Sequence, residues 1–242
     1  YITGGQNARG IAAADAWLRE RSDRSTAEVL AALAAAVAPR RLVIPDSESA
    51  LRPHELLRWQ QLAPEGDLVH CVRHPLPHGL VWSRWLAAQL FVPADYRDHA
   101  RSPQPAAIEP QLPWLRCNRN LDRWWPAARH RRLRMESLQT HPEATLSALI
   151  DGLDLGAVGS DVLERMLAVR DSPFAGFGPL EAPRGLEMEV LDPVLEGIRL
   201  PPPPYVLDGA VPWREDGAGF DPAIRALAAD YGYDGSASPP LR

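Results

Sequence analysis

The 242-residue sequence contains no lysine, so all 26 of its basic residues are arginines. Every mechanism that needs a lysine amine is excluded. Positive charge resides instead in a permanently ionised, planar group that pairs phosphate or sulfate oxygens two at a time. Only two cysteines occur, Cys71 and Cys117. They are too few and too far apart for a disulfide framework or a metal ribbon, and two reduced, mostly buried thiols are expected. No run of about eighteen apolar residues is present. The nearest candidate, Val29 to Ala38, is alanine-rich and far too short to span a bilayer. With no signal-peptide pattern at the N-terminus, the expectation is a cytoplasmic protein without a membrane span.

What charge there is lies unevenly. Residues 1–149 hold 19 arginines against 15 acids, and residues 150–242 hold 7 against 16, for a formal net charge of −5. Mild overall acidity speaks against a nucleic-acid partner. A local basic stretch nevertheless runs through Arg116, Arg119, Arg123, Arg129, Arg131, Arg132 and Arg134, interleaved with Trp114, Trp124 and Trp125. Two readings fit it: an anion-binding wall, or a solvated helix face docked to the core by its tryptophans.

Along the chain, Asp15 to Glu20 reads as part of a helix. Ser25 with Glu28 forms a capping-box signal opening a second helix that runs to about Ala38. Arg41 to Ile44 is a strand candidate, Pro53 to Gln61 a helix with proline in its first turn, and residues 68–72 a strand. This alternation predicts a parallel sheet with crossover helices. Further helices are expected at Trp82 to Leu90, Leu112 to Trp125, Ala144 to Leu153 (after a Thr140 and Glu143 capping box), Asp161 to Val169 and Pro222 to Tyr231. A strand is expected at Arg131 to Met135, and residues 92–110 read as a loop. The proline-rich region beyond Val169 reads as ordered loops wrapping the core.

One segment concentrates polar residues at the end of an apolar strand: VHCVRHPLPHGLVWSRW, residues 69–85. Val69, Cys71 and Val72 are expected to be buried, and Pro75 and Pro77 to stop the strand. Arg73, His74 and His78 then sit at a strand's carboxyl end, where open α/β sheets bind ligands. The spacing of His70, His74 and His78 suits metal ligands on one helix face, but two prolines argue against a helix here, so no metal is expected.

Three stretches together resemble the sulfotransferase superfamily, whose members use 3'-phosphoadenosine-5'-phosphosulfate (PAPS) as donor. LVHCVRHP (68–75) is similar to the family's strand ending in an Arg-x-Pro motif. RLRMESLQTHPEATLSALIDGLDL (132–155) resembles its strand, Tyr-Glu-Asp-Leu-like box and following helix. DSPFAGFGP (171–179), LDGAVPW (207–213) and ADYGYD (229–234) resemble the C-terminal segment of a bacterial branch. The resemblance implies a single domain over residues 1–242, with an α/β core (1–170) and a C-terminal wrapping segment (171–242). The implied fold is three-layer α/β with a central parallel sheet, P-loop-like. It implies PAPS as co-substrate and a small-molecule or carrier-bound hydroxyl or amine acceptor, as in biosynthesis. Arg73 is then the ligand of the 3'-phosphate, assisted by Gly176 and Gly178.

The sequence departs from the family at four places. YITGGQNARG (1–10) has Gly4 and Gly5 but lacks the Ser/Thr-containing loop that cradles the 5'-phosphosulfate. VIPDSES (43–49) has Pro45 at the place of a lysine, leaving Asp46 or Glu48 as candidate general bases or mere loop caps. The family's phosphate-binding serine falls on Val81, and Ser83 recovers that role if the two prolines bulge the loop by two residues. Met135 stands where some relatives place an adenine-contacting tyrosine. The alternatives are a degenerate sulfotransferase-like binding or scaffold domain, or an enzyme that reuses the fold for another anion's chemistry.

Overall fold

A computed structural model describes residues 8–46, 48–87, 89–103, 106–168 and 205–234. In chain order the helices and strands are α1 (Ala8–Arg19), α2 (Thr26–Val37), α3 (Pro53–Leu62), β1 (Leu68–Val72), α4 (Pro75–Ala87), β2 (Arg97–Pro103), β3 (Ala106–Ile108), α5 (Gln111–Trp124), β4 (His130–Arg134), α6 (Met135–Thr140), α7 (Pro142–Gly152), α8 (Ser160–Leu167) and α9 (Pro222–Asp230). The Ser25 capping box forms as the sequence predicts. The Ser25 backbone N–H donates to the Glu28 carboxylate at 2.8 Å, and the Glu28 N–H donates back to Ser25 Oγ at 3.3 Å.

The alternation of helix and strand yields a parallel pair. β1 and β4 lie side by side with Leu68 opposite His130, His70 opposite Arg132 and Val72 opposite Arg134. Because side chains alternate, 68, 70 and 72 share a face with 130, 132 and 134. That face meets α5 and α9. The other face, bearing Arg131, meets α7, where the Arg131 Nε–H donates to the Gly152 carbonyl at 2.9 Å. β2 and β3 form an antiparallel hairpin inside the stretch expected to be a loop.

The C-terminal residues supply much of the core. Val211, Phe220, Ile224, Ala228, Tyr231 and Tyr233 cluster with Val72 of β1 and Trp114 of α5. Trp213 packs the six-membered ring of its indole against Gly79 of α4 and donates its indole N–H to the buried Glu109 carboxylate at 2.9 Å. Glu109 is also gripped by Arg101 of β2 at 2.8 Å and by Arg214 at 3.7 Å. A buried carboxylate is tolerated only with such partners. It ties hairpin, helix start and C-terminal segment together.

Several expectations are corrected. Arg41 to Ile44 forms no strand: Val43 is 83% exposed and no strand among the described residues meets it. β-branched residues favour strands, but a strand needs a ladder partner. Val69 is only half-buried and Cys71 is exposed, whereas His70 and Val72 are buried. The alternation therefore turns the histidine inward and the thiol outward. Cys117 is half-buried. Thr140 caps nothing: it ends α6, its hydroxyl donating to the Glu136 carbonyl at 3.0 Å, and Pro142 opens α7.

The most consequential correction concerns Pro75 and Pro77, which do not forbid a helix. They occupy the first turn of α4, where the backbone N–H has no intrahelical acceptor anyway, so proline costs nothing there. The helix begins at Pro75 and ends at Ala87, earlier at both ends than expected.

Glycine-to-alanine exchange within an exposed helix stabilises by about 1 kcal/mol. At Gly79 the sign is expected to reverse, because a β-carbon there would overlap the Trp213 ring. Gly79→Ala is expected to lower the urea-unfolding midpoint, corresponding to roughly 1–3 kcal/mol. An unchanged or raised midpoint would show that Trp213 gives way freely.

Candidate functional site

The carboxyl ends of β1 and β4 converge with the C-terminal segment. Leaving β1, Arg73 is half-buried and His74 is 1% exposed. The chain is gripped on both sides of the peptide that joins them. Trp114 Nε1–H donates to the Arg73 carbonyl at 3.0 Å, and the His74 N–H donates to Glu136 Oε1 at 2.8 Å. Glu136 lies in the first turn of α6, immediately beyond β4, and its Oε2 accepts the Tyr233 hydroxyl at 2.8 Å. Burial first, and then the Glu136 carboxylate, push the Tyr233 phenol far above its usual pKa, so it remains a donor.

The two tyrosines of the ADYGYD motif clamp this end of the sheet. Arg132 lies over the Tyr231 ring at 3.8 Å and Arg134 over Tyr233 at 5.2 Å. Gly232 takes a φ of +76°, which lets the two rings straddle the turn. Its carbonyl accepts from Arg134 at 2.8 Å. Tyr231 donates to Asp122 Oδ2 at 2.6 Å. Arg132 pairs with Asp122 Oδ1.

Behind the clamp, the tautomers of two buried histidines follow from the hydrogen bonds. Asn118 must donate its Nδ2–H to the Trp114 carbonyl (2.6 Å), which turns Oδ1 toward His70 Nε2 (2.6 Å). His70 therefore carries its proton on Nε2, and its Nδ1 accepts from His130 Nε2–H at 3.0 Å. Both rings are neutral. Burial is the main cause, depressing His70 to about 4 and lowering His130 as well. His70, His130 and Asp122 bring three potential metal-ligand atoms within 4.8 Å of one another. This grouping crosses the sheet and differs from the sequential His70, His74, His78 set. His74 instead caps α4, its Nδ1 accepting the Leu76 N–H at 3.1 Å.

The sequence-predicted residues are distributed as follows. Arg73 stands at the strand end. Among the described residues its guanidinium has no hydrogen-bond or ion-pair partner. His78 lies on α4 near Arg73, and burial, then that positive charge, depress it to about 3. Ser83 is eight residues past Pro75, about 12 Å along the helix axis. Its hydroxyl donates to the Leu80 carbonyl at 3.2 Å. The two-residue bulge that would align it with Val81 is absent, because α4 starts at Pro75.

Asp46 caps the short 3₁₀ turn Ser49–Leu51. Its Oδ1 accepts the Glu48 and Ser49 N–H groups at 3.0 and 2.9 Å, and its Oδ2 accepts Trp59 Nε1–H at 2.7 Å. Burial pushes its pKa upward, but the bonds from Ser49, Glu48 and Trp59 outweigh it and hold the group ionised. The Glu48 carboxylate is exposed. An aromatic run links the two ends: Trp82 contacts His78 at 6.0 Å and stacks on Tyr96 at 5.2 Å, and Glu48 lies close enough to Tyr96 to help raise its pKa. Gly176 and Gly178 lie outside the described residues.

In the basic stretch, Arg116 pairs with Asp95 and Arg129 with Glu65, while Trp114 is buried. Arg116, Arg119 and Arg123 lie on the helix face that the solvated, tryptophan-docked reading describes, whereas Arg131, Arg132 and Arg134 lie on β4. Sequence reasoning did not single out Glu136, Tyr205 or Tyr233. The signals available were one acid directly after a basic strand, and tyrosines spaced around a glycine.

The chain matches no family model and no curated protein. Among solved structures it matches a sulfotransferase domain from the curacin biosynthetic pathway, with a TM-score of 0.58 and 20% identity over 92% of this chain and 74% of that one. The fold is therefore a sulfotransferase fold.

The buried histidines make stability depend on pH. Unfolded, they take up protons near pH 6.5; folded, His70 and His74 do so only near 4 and His78 near 3. Between those values the unfolded chain binds more protons. Stability is therefore complete above about pH 6.5 and falls as pH drops toward 4, by about 1.4 kcal/mol per unit and histidine. Urea midpoints measured at about pH 7.5 and about pH 5 are expected to differ in that direction. A midpoint that holds or rises at the lower pH would contradict neutral, buried imidazoles.

Proposed function

We propose that the chain transfers a sulfuryl group from PAPS to a hydroxyl or amine acceptor, with Arg73 as ligand of the 3'-phosphate. The fold likeness supports the class of reaction. The carrying observation is the state of Arg73: its backbone is gripped by Trp114 and Glu136 while its guanidinium is left without a partner among the described residues. A guanidinium on a fixed backbone, with no partner among the described residues, is available to an anion. Within this reading the central sheet is the remnant or part of a three-layer, P-loop-like core.

In the transfer, the acceptor oxygen or nitrogen bonds to sulfur, the sulfur–oxygen bond to the 5'-phosphate breaks, and the acceptor proton passes to a base. Charge stays on peripheral oxygens throughout, so cationic positioning is the protein's main contribution. Asp46 is a poor base, since its hydrogen bonds hold it ionised. Glu48, with an exposed carboxylate, is the better candidate, and the aromatic run from His78 through Trp82 to Tyr96 provides a wall toward it. The acceptor is a small molecule or a carrier-bound intermediate of biosynthesis.

Calorimetry with 3'-phosphoadenosine-5'-phosphate tests the reading. The chain is expected to bind it, and Arg73→Ala to weaken binding roughly 100-fold, as loss of a bidentate charge-assisted contact should. Absence of binding, or equal binding by the variant, would refute it.

A further inference from the structure

The start of α4 offers an anion almost nothing from its backbone. Pro75 and Pro77 have no N–H, and the Leu76 N–H between them is already taken by His74 Nδ1. The His78 N–H donates to the His74 carbonyl at 3.1 Å. The usual cradle of amides at a helix N-terminus is therefore missing here. An anion arriving at the end of β1 must be held by side chains.

Arg73 is one such side chain, and the C-terminal segment brings another. Tyr205 packs its ring on the His74 imidazole, with 5.1 Å between centroids, directly beside Arg73 in sequence. Its hydroxyl has no hydrogen-bond partner among the described residues and is not sealed from solvent. Burial and the Glu136 carboxylate raise its pKa while the Arg73 charge lowers it, so both groups lie within electrostatic reach of the phenol. The Tyr205 hydroxyl makes no hydrogen bond to Glu136, whose two oxygens accept from His74 and Tyr233. The phenol remains a protonated donor, carried on a ring packed against His74, the residue that follows Arg73.

We propose that the Tyr205 hydroxyl is a second donor to the anion bound by Arg73, so that the C-terminal segment takes part in recognising a phosphate monoester at the end of β1. This rests on the reading of Arg73 as the 3'-phosphate ligand. Tyr205→Phe removes the hydroxyl and keeps the ring on His74, so the fold is left in place.

The test is calorimetry of the chain and of Tyr205→Phe with three probes: 3'-phosphoadenosine-5'-phosphate, adenosine 5'-phosphate and inorganic pyrophosphate. Loss of a hydrogen bond to a charged group is expected to weaken the bisphosphate on the order of 10-fold, and to leave adenosine 5'-phosphate, which lacks the 3'-phosphate, unchanged. Equal bisphosphate affinity in both proteins, or equal losses for both nucleotides, overturns the assignment of Tyr205 and leaves that of Arg73 standing. If the unmodified chain binds no bisphosphate, the sulfotransferase reading fails, and pyrophosphate decides the rest. Binding that both Arg73→Ala and Tyr205→Phe weaken supports the paired donors. Binding indifferent to Tyr205→Phe, or none, overturns them.

Discussion

The Glu136 carboxylate is the point on which the site depends. Buried to 8% exposure at the start of α6, it accepts the His74 amide of the chain leaving β1 and the Tyr233 hydroxyl of the C-terminal segment. Three parts of the chain, distant in sequence, share one side chain. An unpaired buried carboxylate is costly, so the three must assemble together or leave the group exposed. That coupling fixes the backbone from which Arg73 projects.

The same economy governs the sheet face turned to α5 and α9. Its residues include His70, His130, Arg132 and Arg134, which are not the aliphatic set expected of a buried parallel pair. Each is matched across the interface: imidazole to imidazole and to Asn118, guanidinium to Asp122 and to tyrosine faces. Such pairing offsets the cost of burying these polar groups and favours this docking of α9. An aliphatic face would have tolerated several.

Much of the chain was legible from local signals. The strand at 68–72, the strand after Arg129 and the helices at Pro53, Gln111 and Pro222 follow from apolar spacing, proline placement and turn residues. The failures have a common origin in context. Val43 and Ile44 have the composition of a strand but no partner strand among the described residues. Pro75 has the sequence signature of a breaker, because its position relative to the helix start is invisible without knowing where β1 releases the chain. His70 and Cys71 were assigned by polarity when the pleat assigns them by parity. The site was half-legible: Arg73 stands out through its strand and proline neighbours, whereas Glu136 and Tyr205 acquire meaning only from contacts more than sixty residues away.

On the proposed reading of this strand end as an anion site, two prolines in one helical turn also bear on how it can change over time. Recognition through backbone amides is insensitive to most substitutions, because every residue but proline carries the donor. Where the turn has surrendered its amides, recognition is encoded in side-chain identities alone. Each contact can then be exchanged by a single substitution, without remodelling a loop. A strand end built in this way is open to shifts of anion preference along short mutational paths, while the scaffold beneath it, locked by buried carboxylates and neutral imidazoles, stays the same.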